Sequence, residues 1–155
     1  MPSRPQASHE VVVVRPIDEV FAYLADGERC TEWRPGVVRI SRSSGSGRVG
    51  TRYSQQVRGP MGRTIAADYE ITRWDAPRRL EFQTVSGPVR PHGTYELEEL
   101  ADGVTRLNFT LDANLGTVRG LLLGSAVQRT MDQEVRTLDN LGAALDAPTP
   151  HTKDS

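Results

Sequence analysis

Val118 to Leu145 reads VRGLLLGSAVQRTMDQEVRTLDNLGAAL, a long run without a proline. Its apolar residues Leu123, Val127, Met131, Val135, Leu138, Leu141 and Leu145 step by three or four. Arg129, Asp132, Gln133, Arg136 and Asp139 take the opposite side. This spacing predicts one long amphipathic helix with a single apolar stripe. Such a stripe must be buried against something, so the rest of the chain has to supply a complementary surface. Gly116, Gly120 and Gly124 recur at the front of the run. Each weakens a helix by about 1 kcal/mol relative to alanine. They are expected to loosen the first half, a candidate gate.

Upstream of the helix the period changes from 3.6 to 2. Val37–Arg42 reads as a short strand. In Thr51–Arg58, residues Tyr53, Gln55 and Val57 alternate with Arg52, Ser54, Gln56 and Arg58. Arg63–Trp74 predicts a long strand with Ile65, Ala67, Tyr69 and Ile71 on its inner side. Arg79–Val85 returns with Leu80 and Phe82 inward. Pro91–Leu100 and Val104–Ala113 form a further hairpin that sets Tyr95 and Leu97 against Leu107, Phe109 and Leu111. The turns between them carry Gly59-Pro60, Ala76-Pro77 and Asp102-Gly103. Ser41–Gly47 reads as a flexible loop. Ahead of all this, the valines of Ser8–Val14 predict a first strand. Pro16 opens a short helix over Ile17–Ala25, and a second short helix covers Glu28–Trp33. The expected class is α+β: strand, two short helices, six strands, long helix. Seven antiparallel strands with one dry face would curve around the terminal helix.

The chain has 155 residues, one cysteine and a net charge of -1 from 19 basic and 20 acidic side chains. That length suits one domain with its own core. Residues 8–146 are expected to form it, with 1–7 and 147–155 as disordered tails. The charge balance gives no general attraction to nucleic acid, and scattered residues such as Arg39, Arg42, Arg48, Arg52 and Arg58 read as solvated surface. No stretch is long and apolar enough to span a membrane. Cys30 alone permits no intrachain disulfide and reads as a small buried hydrophobe. No signal-peptide pattern opens the chain, so a cytoplasmic protein is expected. His9, His92 and His151 lack metal-ligand spacing, and Gly45-Ser46-Gly47 lacks the lysine and helix of a phosphate loop. No metal and no cofactor are therefore expected.

Four segments carry a resemblance. They are PIDEVFAYLAD at 16–26, WRPGV at 33–37, VGTRY at 49–53 and WDAPRRL at 74–80. In this order, over about residues 8–146, the chain resembles the SRPBCC (START/Bet v 1-like) superfamily, in its polyketide cyclase/dehydrase-like branch. The resemblance implies a helix-grip fold, with a deep pocket between sheet and helix. Members bind lipids, sterols, polyketides or plant hormones; some close and dehydrate aromatic rings. Fold alone does not choose among these.

Strand parity and the helix stripe nominate the lining of such a pocket: Trp33, Tyr53, Gln55, Ala67, Tyr69, Phe82, Tyr95, Phe109, Leu123, Val127 and Met131. Three tyrosines and a glutamine on one inner face matter because a buried hydroxyl or amide needs a partner. The expected function is binding of a hydrophobic small molecule, such as a lipid, polyketide or aromatic metabolite, by a monomer or homodimer. The alternative is a cyclase or dehydratase acting on a ligand in the same pocket. Its catalytic candidates are Tyr69, Tyr95, His92 and Arg63. Asp68 and Glu70 fall on the outer side and read as solvated partners of the sheet's arginines.

Overall fold

The computed structural model describes residues 5–59, 62–87, 89–113 and 121–146, with side chains of the last stretch from 126 onward. Strand β1 (Gln6–Val13) leads into α1 (Ile17–Ala25), followed by a 3-10 segment at Gly27–Glu32. Strands β2 (Val37–Ser44), β3 (Arg52–Arg58), β4 (Thr64–Ala66), β5 (Tyr69–Asp75), β6 (Arg79–Thr84), β7 (His92–Ala101) and β8 (Val104–Asp112) follow. The chain ends in α2 (Leu121–Arg136), a 3-10 turn (Thr137–Asn140) and α3 (Leu141–Asp146). The strand order is β1-β8-β7-β6-β5-β3-β2, with β4 also paired to β3. All pairings are antiparallel. This is a curled sheet gripping a C-terminal helix, as the two hydrophobic periods require.

The structure corrects the expected elements in five places. The long strand Arg63–Trp74 is interrupted at Ala67 and Asp68, giving β4 and β5 in one register against β3. There Asp68 accepts the backbone N–H of Gln55 at 2.9 Å and takes the Oγ of Ser86 on its own N–H at 2.8 Å. Its side chain thus replaces a ladder bond, and Asp68 is no solvated outer residue. Glu70 is one, paired to Arg52 at 2.9 Å. Further along, the register shifts between Ile71 and Arg73, which turns Trp74 rather than Arg73 inward, edge-on to Phe21 at 5.1 Å.

The terminal helix is also broken. Regular α-helix stops at Arg136, where the Thr137 hydroxyl donates back to the Glu134 carbonyl at 2.5 Å. The apolar stripe survives the 3-10 turn, because Val135, Leu138 and Leu141 stay buried. The N-terminal tail is shorter than expected, since Gln6 and Ala7 already belong to β1 and Ala113 donates to the Pro5 carbonyl at 3.0 Å. Likewise β2 runs on to Ser44, so the expected loop begins later. Gly116, Gly120 and residues 147–155 lie outside the described residues.

The core lies between the concave sheet face and α1, α2 and α3. Leu80, Leu107, Phe109, Leu138 and Leu141 are fully buried there, each contributing about 1.5–3 kcal/mol. The convex face is charged: Arg79 pairs with Glu81 and Glu96 at 2.5 Å, and Arg106 with Glu98 at 2.8 Å.

Candidate functional site in the concave face

Five adjacent strands each contribute one aromatic ring to a row on the inner face. Tyr53 of β3 stacks on Tyr69 of β5 with centroids 5.1 Å apart. Tyr69 meets Phe82 of β6 at 5.0 Å, and Phe82 meets Tyr95 of β7 at 6.1 Å. Tyr95 stacks on Phe109 of β8 at 4.4 Å. The row exists because inward positions line up across the antiparallel registers: Tyr53 opposes Tyr69, and Tyr95 opposes Phe109. Phe82 opposes Gly93, whose missing Cβ leaves the space its ring occupies. Beyond Phe109 the row meets His9 of β1, which is directly opposite in register. His9 is not without a partner: its Nε2 lies 2.7 Å from Asp139 Oδ1.

A polar cluster sits within this apolar surface. The 3-10 segment is followed by Trp33 and Arg34, both buried, before Pro35 redirects the chain into β2. Trp33 packs edge-on against Tyr95 at 6.4 Å, and its carbonyl accepts from Asn140 Nδ2 at 3.0 Å. Arg34 is only 7% exposed. Its Nε donates to Glu134 Oε2 on α2. Its Nη1 reaches Gln55 Oε1 at 3.3 Å and Cys30 Sγ at 3.6 Å. Gln55 in turn donates to the Ala67 carbonyl at 2.9 Å, so both ends of its amide are used.

Burial disfavours the Arg34 charge, but the Glu134 carboxylate and the neighbouring Cys30, Tyr95 and Tyr69 outweigh it, and the pKa lies above the ordinary arginine value. Burial pushes Tyr95 and Tyr69 well above the usual tyrosine value, against the pull of Arg34. Burial likewise raises the Cys30 thiol. At neutral pH the cluster therefore holds a charged guanidinium, two phenols and a thiol around the Glu134 side chain. It can donate hydrogen bonds and stabilise negative charge.

The nominated lining residues fall as follows. Trp33, Tyr53, Gln55, Tyr69, Phe82, Tyr95, Phe109, Val127 and Met131 are all buried in this interior. Tyr53 donates a long bond of 3.4 Å to the Ala25 carbonyl. Ala67 is half-buried at the strand break. The side chain of Leu123 lies outside the described residues. Two catalytic candidates are corrected. His92 is on the convex face, 3.2 Å from Glu81, because it has the opposite parity to Gly93 and Tyr95. Arg63 is exposed at the turn before β4. Sequence reasoning missed Arg34 and Glu134. Glu134 had a signal, since it stands three residues after Met131 and seven after Val127, on the apolar stripe. Arg34 had none, because an irregular turn has no period.

A cleft of about 680 Å³ opens elsewhere, between α1, the β2–β3 loop and the β5–β6 turn. Of the nominated residues only Tyr53 borders it. Among the described residues no cluster of His, Cys, Asp and Glu could hold a metal ion, and no helix is long and apolar enough to cross a membrane.

Known proteins share this architecture. TTHA0849 from Thermus thermophilus superposes with a TM-score of 0.77 at 24% identity, over 91% of this chain and 97% of that one. The Zhui aromatase/cyclase from Streptomyces sp. R1128 gives 0.70 at 18% identity, over 91% and 93%. A START superfamily protein from Mycobacterium smegmatis gives 0.72 at 14% identity, over 91% and 97%. At these identities the likeness shows the helix-grip fold alone. No curated protein sequence matches the chain. Residues 4–145 match the family described as polyketide cyclase / dehydrase and lipid transport, and the chain belongs to that family.

Proposed function

We propose that the protein binds a hydrophobic, partly planar small molecule between the aromatic row and α2. The observation that carries this reading is a buried guanidinium beside Trp33 and the Tyr69 and Tyr95 members of a row of five aligned aromatic rings. A plain structural core gains nothing from such a group, since apolar residues of similar volume usually stabilise as well or better. A ligand site uses it: apolar walls supply affinity, and a few fixed polar groups supply orientation. Lipids, polyketides and aromatic metabolites all fit that description, and the family's description supports the same range. Thermal unfolding with a panel of these classes is the test. A ligand at one hundred times its dissociation constant stabilises the protein by about 2.7 kcal/mol. No shift with any class would end the reading.

A cyclase or dehydratase is the second reading. It is favoured by phenols held protonated in the same interior as the Glu134 carboxylate, an acid and a base within one cluster. Turnover of an aromatic precursor that persists in the Tyr69→Phe/Tyr95→Phe variant would remove the phenols from it.

A further inference from the structure

The ion pair of Arg34 and Glu134 is asymmetric. The Arg34 side chain is 9% exposed and lies deep against Gln55 and Cys30, whereas that of Glu134 is 21% exposed. Glu134 can turn to water by a change of rotamer; Arg34 cannot leave without moving the turn that carries it. The neighbouring polar groups Tyr69, Tyr95 and Cys30 are neutral and bring no second anion. The interior therefore tolerates one negative charge beside Arg34, and Glu134 supplies it when nothing else does. Arg34 also stands next to Trp33, with its guanidinium carbon 6.0 Å from the ring centroid, at the edge of the aromatic row. A planar guanidinium presents its donors to a carboxylate or similar oxyanion in pairs.

Resting on the binding function above, the geometry points to a ligand of one charge type: a hydrophobic monoanion whose oxyanion displaces Glu134 from Arg34. Its apolar body lies on Tyr95 and Phe82, and the freed Glu134 is rehydrated at the surface. The charge count in the interior is unchanged by the exchange. A neutral ligand leaves the pair intact and gains no charged hydrogen bond. A cation also leaves the pair intact and adds an uncompensated positive charge to the interior.

The test uses one scaffold in three charge states: naphthoate, naphthylmethanol and naphthylmethylamine, titrated calorimetrically into the full chain. Naphthoate is expected to bind tightest and the amine weakest. Glu134→Gln removes the competing charge but keeps an acceptor for Arg34. It should tighten naphthoate by about tenfold and leave the alcohol within about twofold. The paired variant Arg34→Met/Glu134→Leu, which leaves no unpaired charge to unfold it, should bind acid and alcohol alike. Equal binding of acid and alcohol by the unsubstituted protein overturns this inference and leaves the binding function standing. So does an acid preference that survives in the paired variant. Failure of all three compounds to bind overturns this inference; the binding function falls only when the full ligand panel also gives no shift.

Discussion

At the scale of single residues, the central fact is a charge pair inside an apolar shell. Removing one partner strands the other. Glu134→Leu should cost about 2–3 kcal/mol, less than a fully buried pair because Glu134 reaches water. Adding Arg34→Met should recover most of that loss, which urea unfolding of both variants will show. A single variant as stable as the parent would mean that Arg34 is solvated in the native state. The inner tyrosines were legible from parity alone: Tyr53, Tyr69 and Tyr95 alternate with charged or polar neighbours, and all three are buried. Arg34 was not legible, because arginine after tryptophan in a short turn carries no directional signal. His92 failed for a related reason. Its nearness to Tyr95 in sequence hides that one step along a strand crosses the sheet.

Elements show where local rules hold and where neighbours override them. Gly93 and Gly142 make the contrast measurable. A Cβ on Gly93 would enter the Phe82 ring, so Gly93→Ala should cost about 1–3 kcal/mol. A Cβ on Gly142, in α3, would meet nothing within 4 Å. Gly142→Ala should therefore stabilise by about 0.5–1 kcal/mol. Denaturant midpoints for the two variants check both signs, and a loss at Gly142 would contradict the open space seen there. Helix and strand types, and most inward positions, followed from period. The breaks did not. Asp68 interrupts the long strand because its carboxylate takes the Gln55 N–H, and the shift after Ile71 brings Trp74 onto Phe21. Both events depend on a partner strand, which no local pattern describes.

The whole molecule has a pH response set by its phenols. All four tyrosines, Tyr23, Tyr53, Tyr69 and Tyr95, have pKa values raised above the ordinary 10.0, with burial the leading cause in each. Cys30 is raised above 9.0 in the same way. Raised values mean that the unfolded chain loses these protons first. Stability is then fully present below about pH 9 and falls as pH rises through 10 and beyond. Tyrosinate absorbance should appear only together with unfolding. A native, folded protein showing four ionised tyrosines near pH 10 would refute the burial of these rings. The fold and its buried inward positions were set by sequence alone, because the two hydrophobic periods leave one way to hide both apolar faces: a curled sheet against a terminal helix. The site's charge was decided only by tertiary structure. Arg34 and Glu134 are 100 residues apart, and their meeting depends on how the 3-10 turn seats against α2. Burial of a charge is a property of that packed arrangement, since its cost and its partner come from groups that are distant along the chain.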